Sequence, residues 1–170
     1  CSSDLPYIVK VWKRGQPLAK AQEVFRGQKK DMGASAYTYF TPEKAYRVYH
    51  RNLSFYESEM WYEDDSGKKT LSPLPKDANF QGIFDKMMLF TLRSDLKTEH
   101  KKIPMGSLVA LPVSRFKDDN ALNYLDVLFV PRSKRFLKDV SISKNAIYLS
   151  LIDNVQGKIA RLTQRDPGRW

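Results

Sequence analysis

Residues 140–163 read VSISKNAIYLSLIDNVQGKIARLT, and this stretch decides the fold class. Within 145–152, the apolar residues Ile147, Leu149 and Leu151 alternate with Tyr148 and Ser150, which is the period of a β-strand. Turn-forming residues then occupy 153–157, and the apolar alternation resumes after them. The stretch predicts a short strand at 140–143, a tight turn, a strongly apolar strand and a hairpin back.

The same order of strands recurs upstream. Aromatic and β-branched residues concentrate in the apolar runs, and most of the nine prolines and eight glycines stand between them. The runs of one set are Asn79–Phe84, Met87–Arg93, Ser107–Val113 and Leu125–Val130, with Asp85-Lys86 as a tight turn. Those of another set are Ser35–Phe40, Ala45–Arg51, Phe55–Glu63 and Lys69–Leu74, and a further hairpin joins Tyr7–Arg14 to Gln22–Phe25.

Four antiparallel strands in every 50 residues or so is the size of a propeller blade. The repeat therefore predicts an all-β fold, a partial β-propeller of about three four-stranded antiparallel blades in an incomplete ring. The predicted blades are 31–75 and 76–131, with partial blades at 1–30 and 132–170. A β-sandwich also has short strands with frequent turns and is the alternative that this pattern leaves open.

Charge narrows the choice of partners. The chain carries 29 Lys and Arg against 19 Asp and Glu, a net charge of +10. The basic residues are spread through Lys10–Arg14, Arg26–Lys30, Lys97–Lys102 and Arg132–Lys138, outside any recognised nucleic-acid-binding motif. We expect a basic solvated surface and no nucleic acid as partner, with an anionic-polymer binding module as the alternative.

Membrane and redox signals are weak. No run approaches eighteen apolar residues, so neither a transmembrane helix nor a membrane partner is expected. No charged-then-apolar leader opens the chain, and the compartment stays open between cytoplasm and periplasm. Cys1 is the single cysteine and excludes an internal disulfide; a lipid-attachment residue is the alternative interpretation.

Five segments, in order along the chain, carry a family resemblance. They are KVWKRGQPL at 10–18, similar to WKRGTPL; LRSDL at 92–96, similar to LRSDW; PMGSL at 104–108, similar to PAGSL; VLFVP at 127–131, similar to VLFEP; and DNV at 153–155. Through them the chain resembles the propeller domain of the prolyl oligopeptidase family of serine peptidases, in a bacterial branch. Leu96 departs from the pattern, since a tryptophan is usual there.

The resemblance implies a division of labour between domains. In that family a propeller covers an α/β-hydrolase domain, and the nucleophile of its Ser–Asp–His triad sits in a G-x-S-x-G elbow. Ser35, Ser66 and Ser107 are the serines nearest to such a motif, and none has glycine at both positions two residues away. We therefore predict no hydrolase domain and no catalytic residue in this chain.

Histidine-based catalysis and metal binding have little support in the sequence. His50, in a predicted strand, and His100, in a basic loop, have no recognisable nucleophile beside them in the sequence. Together with Cys1 they are too few for a zinc site. The run 63–65, Glu-Asp-Asp, lacks the ligand spacing of a calcium loop and is expected to be a solvated turn. We predict no metal and no cofactor.

A carboxylate pair is the remaining catalytic candidate. Glu57 and Glu59 are predicted on one face of a strand, about 7 Å apart by the strand rise, a separation that glycoside hydrolysis can use. Tyr56, Met60 and Tyr62 would then form the opposite face. A half-exposed strand accounts for this alternation without catalysis.

The predicted function is therefore indirect. In an intact peptidase this segment would form part of a lid that admits short peptides to a serine triad. The expected partners are the hydrolase domain of the same parent chain and the peptides passing through, and exposed sheet edges predict a homodimer. A stand-alone propeller or sandwich that binds a protein partner is the alternative.

Overall fold

The computed structural model describes residues 5–164 and 170 as a set of antiparallel strands. The strands are β1 Ile8–Val11, β2 Gln22–Arg26, β3 Gly33–Phe40, β4 Ala45–Asn52, β5 Ser58–Glu63, β6 Lys69–Leu71, β7 Asn79–Phe84, β8 Met87–Thr91, β9 Leu96–Lys97, β10 Lys102–Ile103, β11 Leu108–Pro112, β12 Asp126–Phe129, β13 Arg135–Ile142, β14 Ile147–Asp153 and β15 Gln156–Leu162. Short 3-10 turns form at Leu18–Lys20, Val113–Arg115 and Ala121–Tyr124. Within this part of the chain the fold is all-β. None of the helical turns described there has the length or hydropathy of a membrane span.

The chain divides into two compact units. The first comprises Cys1–Phe40 and Ala45–Ser72, and the second comprises Thr41–Lys44 and Pro73–Trp170. The first unit contains the two-stranded β1–β2 ribbon and a four-stranded sheet in the order β3-β4-β5-β6, called the first sheet. The second unit contains the second sheet, β12-β11-β8-β7, the third sheet, β13-β14-β15, and the short β9–β10 pair.

One face of the first sheet is apolar because its central strands alternate, while on the other face the buried Tyr49 packs against Phe25 of β2 with ring centroids 5.0 Å apart. Tyr46 and Val48 of β4 are buried, as are Met60 and Tyr62 of β5, while Arg47 between the buried β4 positions is exposed. Strands β4 and β5 pair in register, so Val48 lies directly opposite Tyr62. Burying such cross-strand pairs on one face is the main stabilisation expected of an antiparallel sheet.

The second and third sheets share an apolar core. Leu89 of β8, Leu108 of β11 and Ile147 of β14 belong to one buried cluster and are fully removed from solvent. Strands β8 and β11 are apolar over nearly their whole length rather than alternating. That composition is expected for strands that are covered on both faces.

Two tight turns in the second unit use left-handed backbone. Asp85 and Lys86 have φ of 44° and 62°, and Asn154 and Val155 have φ of 51° and 67°. Positive φ at both central residues is the geometry of a type I′ hairpin turn, whose twist matches that of the flanking strands. The β14–β15 loop is consequently two residues long, shorter than the predicted 153–157, because Asp153 already pairs with Gln156.

Most predicted strands are confirmed. The four hairpins are present as β1–β2, β5–β6, β8–β11 and β14–β15, residues 79–84 form a strand, and β12 is the outer strand of the second sheet. The predicted start of β13 at Val140 is wrong, since this strand begins at Arg135. A register shift between Leu137 and Asp139 breaks the apolar alternation of β13. The first half of the strand therefore does not show the two-residue period by which strands are predicted.

The predicted face of β5 is also partly wrong. Tyr56 and Glu57 precede the strand in a turn, where both backbone N–H groups donate to the Ser54 hydroxyl. Serine hydroxyls that bond the backbone two or three residues on are typical of such turns. Met60 and Tyr62 alone form the buried face that the alternation predicted.

Candidate functional site

The serines nearest to a nucleophile motif lie in different surroundings. Ser107 is fully buried before β11, and its hydroxyl has no hydrogen-bond partner among the described residues. Ser66 is in the exposed turn between β5 and β6, where its hydroxyl donates to Asp64 at 2.6 Å. Neither is on the strand-to-helix turn that presents an activated serine.

Sequence reasoning missed one juxtaposition, between Ser35 and His50. The two residues are directly opposite each other in the β3–β4 pairing. His50 is half-buried, the Tyr37 ring packs edge-on against it with centroids 5.9 Å apart, and burial lowers the pKa of its imidazole. Serine catalysis also needs an orienting acid and oxyanion donors, whereas Ser35 sits in a strand that pairs with β4 along its whole length.

The other chemical candidates are separated. His100 is exposed in the β9–β10 turn, with its Nε2 3.9 Å from a Glu99 oxygen. Glu57 is in a turn, while Glu59 accepts a hydrogen bond from Arg51 at 2.9 Å, so the two do not form a carboxylate pair on one strand. Cys1 lies outside the described residues. Within 5–164 and 170, no group of three or more His, Cys, Asp or Glu could hold a metal ion.

The expected solvated turn at 63–65 is wrong for Glu63, which ends β5 and whose carboxylate is tied into the first sheet. The Glu63 carboxylate accepts the Tyr49 hydroxyl at 2.7 Å and pairs with Arg47 at 2.9 Å and with Lys69 at 3.0 Å. Burial would raise the pKa of Glu63, but these donors outweigh it and lower the pKa below its ordinary value. Burial, together with the hydrogen bond to Glu63, raises the pKa of Tyr49 to about 12. The cluster is therefore a closed ion network rather than an open cation site.

A second network lies at the other end of the same strands. The buried Asp31 carboxylate accepts both Arg51 Nε at 2.8 Å and Arg51 Nη2 at 3.1 Å, while Arg51 Nη1 donates to Glu59. Asp31 also accepts the Gln28 N–H at 2.6 Å, and a Cβ at Gly27 would lie 2.7 Å from the carboxylate. The Arg51 hydrogen bonds lower the pKa of Asp31. This network fixes the 27–31 turn on β4.

The second unit contains an open groove of about 370 Å³, which we call the β12 groove. Eight of its ten lining residues are apolar and the other two are arginines. The lining residues are Val127, Leu128, Phe129, Val130, Arg132, Arg135, Leu149, Leu151, Ala160 and Leu162. Apolar walls with a few convergent polar groups are the usual composition of a ligand site.

Comparisons with known proteins place the whole chain against peptidases. No family model matches it. It is 30% identical over 164 residues to an uncharacterized peptidase of Sinorhizobium fredii, covering 93% of this chain and 23% of that protein. It is 28% identical over 168 residues to an uncharacterized peptidase of Rickettsia prowazekii, covering 95% of this chain and 23% of that protein. The structure of a post-proline cleaving enzyme from Rickettsia typhi superposes with a TM-score of 0.78 at 25% identity, covering 96% of this chain and 26% of that one.

These matches show the class of protein to which the chain is similar. The chain is an all-β segment similar, over nearly its whole length, to part of larger peptidases. The resemblance to the prolyl oligopeptidase family, which the five segments predicted, is confirmed. The chain spans about a quarter of the length of the relatives it matches.

Proposed function

We propose that this chain is a non-catalytic propeller part of a prolyl oligopeptidase-like serine peptidase. In the intact protein it would limit access to a serine-triad site, so that short peptides enter and folded proteins do not. The observation that carries the proposal is the extent of the similarity, which covers 93% or more of this chain but only about a quarter of each peptidase.

The strand connections support a propeller over a sandwich. The first sheet is built from β3 to β6 in chain order, and the third from β13 to β15 in chain order. The second sheet is also a meander, with the small β9–β10 hairpin between β8 and β11 and two 3-10 turns between β11 and β12. Sandwiches are typically joined by Greek-key connections between two sheets, whereas propeller blades are consecutive meanders. Assigning these sheets to successive blades, at 31–75, 76–131 and from 132 onward, is part of the proposal.

The residues also support a non-catalytic role. The sequence has no G-x-S-x-G elbow, the Ser107 hydroxyl is buried, and the Ser66 hydroxyl is hydrogen-bonded to Asp64. Acyl transfer needs a nucleophile exposed beside its base and oxyanion donors. In this proposal, those groups belong to the hydrolase domain.

A serine-hydrolase probe tests the division of labour. A fluorophosphonate should label the full gene product at a serine within a G-x-S-x-G elbow and leave the 170-residue chain unlabelled. Mass spectrometry of the labelled peptide identifies the serine. Labelling of the short chain at Ser35, Ser66 or Ser107 would contradict the proposal.

The access role needs a separate measurement. The full gene product should cleave a short fluorogenic peptide much faster than the same sequence embedded in a folded carrier protein. The matched control is the same carrier after unfolding and trimming to short fragments, which should restore cleavage. Equal rates on the peptide and on the folded carrier would exclude a size-selective lid.

A further inference from the structure

The β12 groove carries two cations that face the same side. Arg132 and Arg135 flank a tight turn in which the Arg132 N–H donates to the Arg135 carbonyl at 2.9 Å and the Arg135 N–H to the Arg132 carbonyl at 3.0 Å. Residues that exchange both backbone hydrogen bonds are directly opposite, and their side chains share a face. Like charges at such positions repel each other, and a ligand anion between them would relieve this.

Arg135 also has an unused donor. Its Nε is buried and has no hydrogen-bond partner among the described residues, although Arg135 lines the groove. A buried donor without a partner is costly, and a guanidinium donor more so than a neutral one. Asp153, opposite Arg135 on β14, acts electrostatically on Arg135 and is hydrogen-bonded to Lys158 Nζ at 2.9 Å, but it forms no hydrogen bond with Arg135 Nε.

The chemistry of the lining points to one kind of anion. The residues that line the groove include two arginines and no aspartate or glutamate. A guanidinium presents paired N–H donors that match the two oxygens of a carboxylate. Beside the arginines, Phe129 and Val130 on one wall and Leu149 and Leu162 on the other are apolar. A ligand that suits this surface has a carboxylate at one end and an apolar body.

The position of β12 at the edge of the second sheet would also allow backbone hydrogen bonds to a bound peptide. β12 is the terminal strand of the second sheet and pairs with β11 on one side only. A terminal strand can accept an extended peptide as an added strand, with main-chain hydrogen bonds giving affinity. Arg132 follows β12 in the chain, so a peptide whose terminal carboxylate reaches it would run parallel to β12.

We propose that the β12 groove binds the C-terminal end of an apolar peptide. The terminal carboxylate lies between Arg132 and Arg135, and the last two side chains lie against the apolar walls. The site belongs to the second unit alone and does not depend on the peptidase assignment, so it stands or falls separately from the proposed function.

The test compares two peptides on the 170-residue chain. The probe is an N-terminally fluorescein-labelled tetrapeptide that ends in leucine and valine, as the free acid and as the C-terminal amide, measured by fluorescence anisotropy. The free acid should bind about tenfold or more tightly than the amide, since charge-assisted hydrogen bonds are lost in the amide. Equal affinities for acid and amide would overturn the proposal.

Matched variants locate the effect. Arg135→Gln and Arg132→Gln should each weaken binding of the free acid about tenfold and abolish the difference between acid and amide. The control is Arg161→Gln, which removes the same charge. Arg161 is exposed on β15 and lies between the groove residues Ala160 and Leu162 in the sequence. The control should bind as the unsubstituted chain does.

Non-specific attraction to a basic protein gives a different pattern. A free-acid tetrapeptide of serine and glycine has the same charge without an apolar body, and it should bind much more weakly. If it binds as tightly as the apolar acid, or if Arg161→Gln weakens binding as much as Arg135→Gln, the groove is not the site. Circular dichroism checks folding of each variant, and the acid–amide comparison on the unsubstituted chain decides the matter if Arg135→Gln fails to fold.

Discussion

The first sheet and the paired second and third sheets are stabilised by different chemistry. Around the first sheet, buried or half-buried ion networks centred on Asp31 and Glu63 accompany the buried apolar and aromatic side chains. In the second unit, Leu89, Leu108 and Ile147 belong to a core without charged members. The ion networks of the first sheet depend on the geometry of each hydrogen bond and need every charged partner in place. The apolar core of the second unit depends mainly on close packing of its side chains.

Because of this difference, substitutions in the two units should lower the stability of the chain through different mechanisms. Loss of an apolar group leaves a cavity whose cost is nearly independent of pH. Loss of one ion-pair partner leaves a buried charge, and its cost depends on whether that charge can be neutralised by a proton. The predictions below test that contrast, from the largest expected effect to the smallest.

The largest effect is expected in the apolar core. Leu89→Ala removes a fully buried side chain from β8 and should lower the free energy of unfolding by about 4 kcal/mol. Urea denaturation followed by circular dichroism measures the loss. Leu18→Ala, at a leucine that is 76% exposed, is the control and should change the free energy by less than about 0.5 kcal/mol. Similar costs at both positions would mean that the second-unit core is not close-packed.

The next effect concerns the Asp31 network. Arg51→Met keeps much of the side-chain length but leaves the buried Asp31 carboxylate without its main partner, at a cost of about 3 kcal/mol. Adding Asp31→Asn to this variant should recover part of the loss, because a neutral amide is less costly to bury. Purely additive losses in the double variant would show that the two side chains are not coupled.

Acid titration of these variants distinguishes the two units further. The pKa of Asp31 is lower in the folded chain than the ordinary value near 4, so the folded state favours the charged form. Its contribution to stability is therefore present above about pH 4 and is lost as the pH falls through the lowered folded value. Arg51→Met should show a shallower loss of stability below about pH 4 than the unsubstituted chain, whereas Leu89→Ala should keep the original slope.

A pair of turn substitutions should have smaller and opposite effects. Val155 in the β14–β15 turn has φ of 67° and is 95% exposed, so Val155→Gly should relieve backbone strain and stabilise the chain by about 1 kcal/mol. Gly67 in the β5–β6 turn has φ of 82° with open space around it, so Gly67→Ala should destabilise by about 1 kcal/mol through backbone strain alone. Val155→Ala keeps a Cβ and is the control, with a smaller gain than glycine. Thermal melts measure all three.

The same turns show what periodicity can and cannot predict. Alternating apolar residues located β14, because one face of this strand is buried. β15 followed from the turn residues before it rather than from a buried face, since its Ile159 is exposed. The length of their loop was overestimated, because a valine in left-handed backbone breaks the rule that asparagine is followed by glycine there. The start of β13 was missed for a related reason, since its register shift interrupts the alternation after Leu137.

Long-range pairs were harder to predict than strands. Ser35 and His50 are fifteen positions apart, and their opposition depends on the length of the β3–β4 turn rather than on any local motif. Arg132 and Arg135 are close in sequence, but only the backbone pairing between them reveals that both face one groove. The basic cluster 132–138 was visible from charge alone, and its geometry was not.

The smallest expected effect is the titration of His50 in the first unit. Burial lowers the pKa of this imidazole in the folded chain, while the unfolded chain has the ordinary value near 6.5. As the pH falls from about 7.5 through 6.5, the unfolded state takes up the proton first, so stability should decline in this window. His50→Gln should flatten that decline in urea titrations between about pH 7.5 and 5.5, where carboxylates such as Asp31 stay charged.

His100→Gln removes an exposed imidazole from the second unit and is the matched control. A decline that survives His50→Gln but disappears with His100→Gln would assign the pH dependence to the second unit and reverse the comparison between the two.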